Sequence, residues 1–156
     1  MTGNGSTDAD RHWMALAIEL SRRCPPSCTA YAVGAVVVDA DGVEIARGWS
    51  RETDNHVHAE ESALSKISAQ DPRLAGATIY STLEPCSQRK SRPVTCAQLI
   101  LATPIPRVVI AWREPSLFVE GQGYEILRAA GREVVELADL AEDARVVNAG
   151  LLDTEH

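Results

Sequence analysis

The sequence predicts an α/β domain: a three-layer α/β/α sandwich with one mixed five-stranded sheet. Three observations point to it. Apolar runs rich in β-branched residues alternate with stretches of helical apolar spacing. The first two runs form a hairpin, and strands then alternate with helices, a pattern that gives one mixed sheet covered on both faces. The chain has 156 residues, 45% of them apolar, which supports one core and leaves no room for a second domain of ordinary size.

The elements follow in order. Residues 1–10 are expected to form a disordered tail, residues 11–150 the domain and residues 151–156 a second tail. Asp8 or Asp10 is expected to cap a first helix running to about residue 23, with Trp13, Leu16, Ala17 and Leu20 on its buried face. Pro25 and Pro26 stop it. Residues 32–39 carry Val33, Val36, Val37 and Val38, and β-branching at this length favours a buried strand. Asp39-Ala40-Asp41-Gly42 is a hairpin turn, and residues 43–49 return as a second strand. Ala59, Ala63, Leu64 and Ile67 define a helix from His58 to about residue 69. Residues 77–83 form a third strand, 96–101 a helix, 107–112 a fourth strand, 123–130 a helix and 133–137 a fifth short strand. The acidic stretch from Asp139 adds a last helix.

Composition excludes several functions. The net charge is -7, whereas a nucleic-acid polymer needs a basic surface to neutralise phosphates. The densest basic cluster, Arg89, Lys90 and Arg92, suits at most one phosphate group. No apolar run approaches the roughly 20 residues of a membrane span. Neither a membrane nor a secretory signal is expected, so the protein reads as cytoplasmic. In a reducing compartment its four cysteines are metal ligands or buried thiols rather than disulfides.

Three segments carry the chemistry: His56-Val57-His58-Ala59-Glu60 at a helix start, Thr82-Leu83-Glu84-Pro85-Cys86 at a strand end, and Cys96 ten positions further on. A catalytic zinc ion usually takes three protein ligands and leaves one place for water. His58, Cys86 and Cys96 satisfy that count. One neutral imidazole and two thiolates make a site of zero net charge on Zn2+, which limits the cost of burying it. Zinc lowers the pKa of a bound water to about 7. Glu60, two residues after His58, shares the cavity and is placed to take a proton from that water and return protons to a ring nitrogen and a departing amine. His-x-Glu or Pro-Cys alone is a weak signal. Their combination, in this order and on these elements, is a strong one.

At these residues the chain resembles the cytidine-deaminase-like superfamily, and in particular the deaminase domain of the bifunctional riboflavin-biosynthesis deaminase–reductase. Further matching segments are 33–38, 81–87, 107–111, Glu114-Pro115, Gly121, Gly123 and 127–131, so the likeness covers roughly residues 11–135. The resemblance implies a hydrolytic deaminase of a ribosylamino-pyrimidinone phosphate, working as a homodimer or homotetramer, with Arg92 binding the phosphate through its planar fork. Tyr31, Trp49, His56, Ala59 and Gln88 are candidates to line the substrate pocket.

The family pattern is also broken in places. An Asn-Pro before the first strand is replaced by Ala30 and Tyr31, a His after the first zinc cysteine by Gln88, and another His by Ser50. The metal positions are kept while pocket positions change, which makes a deaminase of a different free base, nucleoside or triazine the alternative expectation. A structural zinc module closed by Cys24, Cys28, Cys86 and Cys96 is the alternative of another class. It would leave His58 and Glu60 without a role and no coordination place open.

Overall fold

A computed structural model describes residues 7–25, 31–85, 94–113 and 123–149. Five strands, β1 (Gly34–Val38), β2 (Glu44–Trp49), β3 (Thr78–Leu83), β4 (Arg107–Trp112) and β5 (Glu133–Glu136), form one sheet in the order β2-β1-β3-β4-β5. β1 is antiparallel to both β2 and β3, and β3, β4 and β5 are parallel. Helices α1 (Asp8–Ser21) and α5 (Ala141–Val147) pack together on one face. Helices α2 (Ala59–Ser65), α3 (Cys96–Leu101) and α4 (Gly123–Ala129) make up the other layer. The mixed three-layer sandwich expected from the sequence is the fold observed. No described helix is long and apolar enough to cross a membrane.

The β1–β2 hairpin forms because Asp39 organises its turn. Its carboxylate accepts from the backbone N–H of Asp41 and Val43, both at 2.9 Å, and Gly42 supplies the left-handed residue at φ 80°. The central strands are buried on both faces because helices cover both sides. The segment entering β1 is held from far away: Asn148, after α5, accepts from Ala32 N at 2.6 Å and donates to Ala32 O at 3.1 Å.

Three details of the first helices differ from the sequence reading. Thr7, not Asp8 or Asp10, is the N-cap of α1: Asp10 N donates to its hydroxyl at 3.1 Å, and Thr7 N donates to the Asp10 carboxylate at 3.0 Å. The helix therefore starts at Asp8, inside the expected tail. The buried face is Asp10, Met14, Ala17, Ile18, Leu20 and Ser21, while Trp13 and Leu16 are only half-buried. The stripe is rotated because Asp10 is drawn inward by partners on β3 and β4. α2 also stops at Ser65 rather than near residue 69, and beyond it the Ser68 hydroxyl accepts from Gln70 N in a local bond that competes with helix.

Asp10 is 2% exposed and anchors α1 to the sheet. Arg107 donates to both its oxygens, at 2.8 and 2.7 Å, and the Tyr80 hydroxyl donates at 2.6 Å. Burial pushes the Asp10 carboxyl up, but the hydrogen bonds and charge of Arg107, with those of Tyr80 and Thr7, outweigh it and hold the group below its usual 3.8. The stability this carboxylate contributes is thus complete above pH 3.8 and lost as pH falls through its lower folded value. In denaturant titrations stepped below pH 3.8, the native chain is expected to lose more stability than Asp10→Asn.

Glycine sets the approach of both helical layers. A Cβ at Gly34 would stand 1.9 Å from the Ala17 carbonyl oxygen on α1. One at Gly48 would stand 2.6 Å from Ala63 N and 2.8 Å from Ala59 O on α2. Gly48→Ala is expected to lower stability by about 1–3 kcal/mol in thermal melts, since the collision is with helix backbone that cannot rotate away.

Candidate active site

The start of α2 is held against the sheet by Gly48 below it and by a loop that leaves β2. In that loop Arg51 takes a left-handed conformation at φ 60°, and its N–H bonds Val57 O at 2.8 Å. His58 occupies the N-cap position, and its N–H donates to the Glu61 carboxylate at 3.2 Å. With the backbone satisfied in this way, the imidazole points away from the helix: His58 Nδ1 lies 3.2 Å from Cys96 Sγ.

Cys96 is fully buried and is the first residue of α3. Thr95 caps that helix, accepting from Gln98 N at 3.2 Å, while Thr95 N donates to Gln98 Oε1 at 2.9 Å. The His58–Cys96 separation can be tested against a metal. A nitrogen about 2.0 Å and a sulfur about 2.3 Å from one tetrahedral zinc lie about 3.5 Å apart. The observed 3.2 Å is close to that, so these two side chains fit a shared zinc ion with a small adjustment. Among the described residues no group of three metal-binding side chains is assembled. The third expected ligand, Cys86, lies outside the described residues, as do Gln88, Arg92, Arg89 and Lys90.

Glu60, one turn position inside α2, is 3% exposed. Its Oε2 accepts from the Ser81 hydroxyl of β3 at 2.9 Å. Side chains alternate along β3, so Tyr80 faces α1 and meets Asp10, while Ser81 faces α2 and meets Glu60. Glu84, just past β3, is also buried. Its backbone N donates to Trp112 O at 2.8 Å, and its carboxylate accepts from Tyr124 N at the start of α4, also at 2.8 Å. α4 approaches so closely that a Cβ at Gly123 would stand 1.9 Å from Pro85 O. The strand end that leads into Cys86 is thereby fixed from two sides.

The other expected pocket residues are more dispersed. Ala59 is fully buried between His58 and Glu60, and its carbonyl faces Gly48. Tyr31 packs edge-on against Trp112, with ring centroids 5.3 Å apart. Trp49 is flanked by the cations of Arg23 and Lys66, at 5.4 and 5.7 Å. His56 is exposed, its N–H bonded to Asp54. Ser50 is buried with its hydroxyl on the Val33 backbone. Cys24 is a partly buried thiol 3.6 Å from Val33 O, and burial pushes its pKa up; Cys28 is outside the described residues. Sequence reasoning quoted Ser81 and Glu84 within a motif but gave them no role. No local signal singled them out, since β3 also carries Thr78, Tyr80 and Thr82.

Comparisons with known proteins find relatives in both sequence and fold. The chain is 38% identical over 133 residues to the diaminohydroxyphosphoribosylamino-pyrimidine deaminase of Schizosaccharomyces pombe, covering 84% of this chain and 33% of that one. The crystal structure of a diaminohydroxyphosphoribosylaminopyrimidine deaminase/5-amino-6-(5-phosphoribosylamino)uracil reductase from Thermotoga maritima superposes with a TM-score of 0.78 at 36% identity, covering 89% of this chain and 39% of that one. Aspergillus oryzae Rib2 deaminase shares the fold, with a TM-score of 0.69 at 22% identity, over 92% of this chain and 99% of that one. The chain thus spans about a third of the length of the S. pombe relative, 33%. The model of the cytidine and deoxycytidylate deaminase zinc-binding region matches residues 7–112, well over half the chain, and this protein belongs to that family.

Proposed function

We infer that this chain is a zinc-dependent hydrolytic deaminase of a small amino-heterocycle, with diaminohydroxyphosphoribosylaminopyrimidine as the first substrate to test. The observation that carries the reading is the pairing of His58 Nδ1 with the buried Cys96 Sγ at 3.2 Å, from elements 38 residues apart, next to a buried glutamate on the same helix start. The name of the S. pombe relative supports the choice of substrate.

In this reading His58, Cys96 and Cys86 hold the zinc. When bound, zinc supplies a Lewis acid that makes water nucleophilic near neutral pH. Glu60 takes a proton from water as a C–O bond forms at the amine-bearing carbon, and it passes protons to the ring nitrogen and to the amine. The C–N bond then breaks and ammonia leaves, so water and amine give carbonyl and ammonia in balance. The buried setting of Glu60 keeps bulk water from competing for those protons. Arg92 is the candidate phosphate contact, and Gln88, Tyr31, Trp49 and His56 the candidate rim.

A different amine is a second reading, favoured by one observation. Ser50 stands where the resembled family has a histidine, and its hydroxyl is bound to the Val33 backbone rather than presented to a ligand. A panel of pyrimidine, purine and triazine amines, free and as ribosides or phosphates, separates the two readings by ammonia release.

Glu60→Gln is expected to keep one zinc per chain in elemental analysis and to lose at least about 100-fold in ammonia release. A structural zinc module would show no change in any activity of the chain. Cys96→Ser is expected to lose zinc and activity together. Native protein without stoichiometric zinc after metal-replete purification would overturn the reading.

A further inference from the structure

Ser81 is fully buried, and its hydroxyl stands between two oxygens: Glu60 Oε2 at 2.9 Å and the Leu83 carbonyl at 2.8 Å. A serine hydroxyl has one proton to donate and two lone pairs that accept. It donates to a bare Glu60 Oε2. If that oxygen carries the proton, Glu60 donates to Ser81 and the serine proton turns to the Leu83 carbonyl. In both arrangements the carboxyl group remains hydrogen-bonded to the same atom in the same place. A backbone N–H or a guanidinium can never accept the proton of the acid form, and a carbonyl can never donate to the ionised one. A carboxyl group that gains and loses a proton in each turnover needs a partner able to reverse its role, and it needs one out of reach of bulk water.

We propose that Ser81 is a positioning residue that keeps the Glu60 carboxyl group in one place through both halves of the proton transfer. The proposal rests on the deaminase reading of the site. It assigns to β3 a part in the reaction separate from leading the chain to Cys86, and it makes the hydroxyl, not the volume, the property that position 81 requires.

The test compares Ser81→Thr with Ser81→Val, which have nearly the same shape and differ in the hydroxyl, so any cost of the added bulk in the core cancels between them. Ser81→Ala, which adds no bulk, gives the same comparison against the native chain should both larger variants fold poorly. Each is assayed as the full zinc-loaded chain for ammonia release from diaminohydroxyphosphoribosylaminopyrimidine, with cytidine and dCMP as parallel substrates. Ser81→Val is expected to have a kcat about 10- to 100-fold below Ser81→Thr, with KM, zinc content and melting temperature the same in the two. Ser81→Ala is expected to fall with Ser81→Val. Equal kcat in the threonine and valine variants, or a difference confined to KM or zinc content, overturns the role of Ser81 while the active native chain upholds the deaminase. A zinc-loaded native chain inactive on these three and on the wider panel of amines overturns both.

Discussion

The start of α2 must lie against two strands at once, and the rest of the site depends on that. Gly48 on β2 leaves the gap into which the backbone of Ala59 and Ala63 descends. Ser81 on β3 then meets Glu60 from the neighbouring side of the sheet. With the helix seated by these contacts, His58 at its cap brings its ring to Cys96 on α3. A shift of the helix by a fraction of an ångström would alter all three relations together, because the interior is packed too densely to absorb it locally.

Among the described residues three carboxylates are buried, Asp10, Glu60 and Glu84, and each accepts from a different kind of donor. Asp10 is paired with a guanidinium that is permanently charged. Glu84 is bound by a backbone N–H of Tyr124, which can only donate. The partners of Glu60 include a hydroxyl that can give or receive. The first two arrangements join elements: α1 to β4 in one case, the end of β3 to α4 in the other. The third joins the start of α2 to β3 through a hydroxyl, which suits the role proposed for Glu60. The chemistry of a buried acid is thus set less by burial itself than by what the neighbouring atom is able to donate or accept.

Most of the fold was legible because its signals are local. Valines in unbroken runs marked β1, the Asp39 turn marked the hairpin, and helical spacing marked α2 to within a few residues. The meeting of His58 and Cys96 was legible because a His-x-Glu at a helix start and a cysteine at another are rare together. What stayed hidden depends on partners distant in the chain. Asp10 was taken for a surface cap because nothing near it announces Arg107, 97 residues away. Trp13 and Leu16 look as apolar as Met14 and Ile18, and only the seat of Asp10 decides which pair turns inward. Ser81 and Gly48 are unremarkable in sequence, since their meaning comes from a helix that lies over them. Trp49 and His56 are pocket candidates by residue type, and their surroundings, two cations beside the first and a backbone bond to Asp54 at the second, are set by residues that the motif does not contain.

Asn148 behaves like one residue of an additional strand. It gives Ala32 a donor and an acceptor, as a neighbouring backbone would, across a separation of 116 residues. During synthesis Ser50 and Arg51, which follow the hairpin directly, can hold Val33 and Tyr31 early. Ala32, between them, gains its side-chain partner only once residue 148 has left the ribosome. The last clasp on the entry to the sheet is thus closed by the far end of the fold.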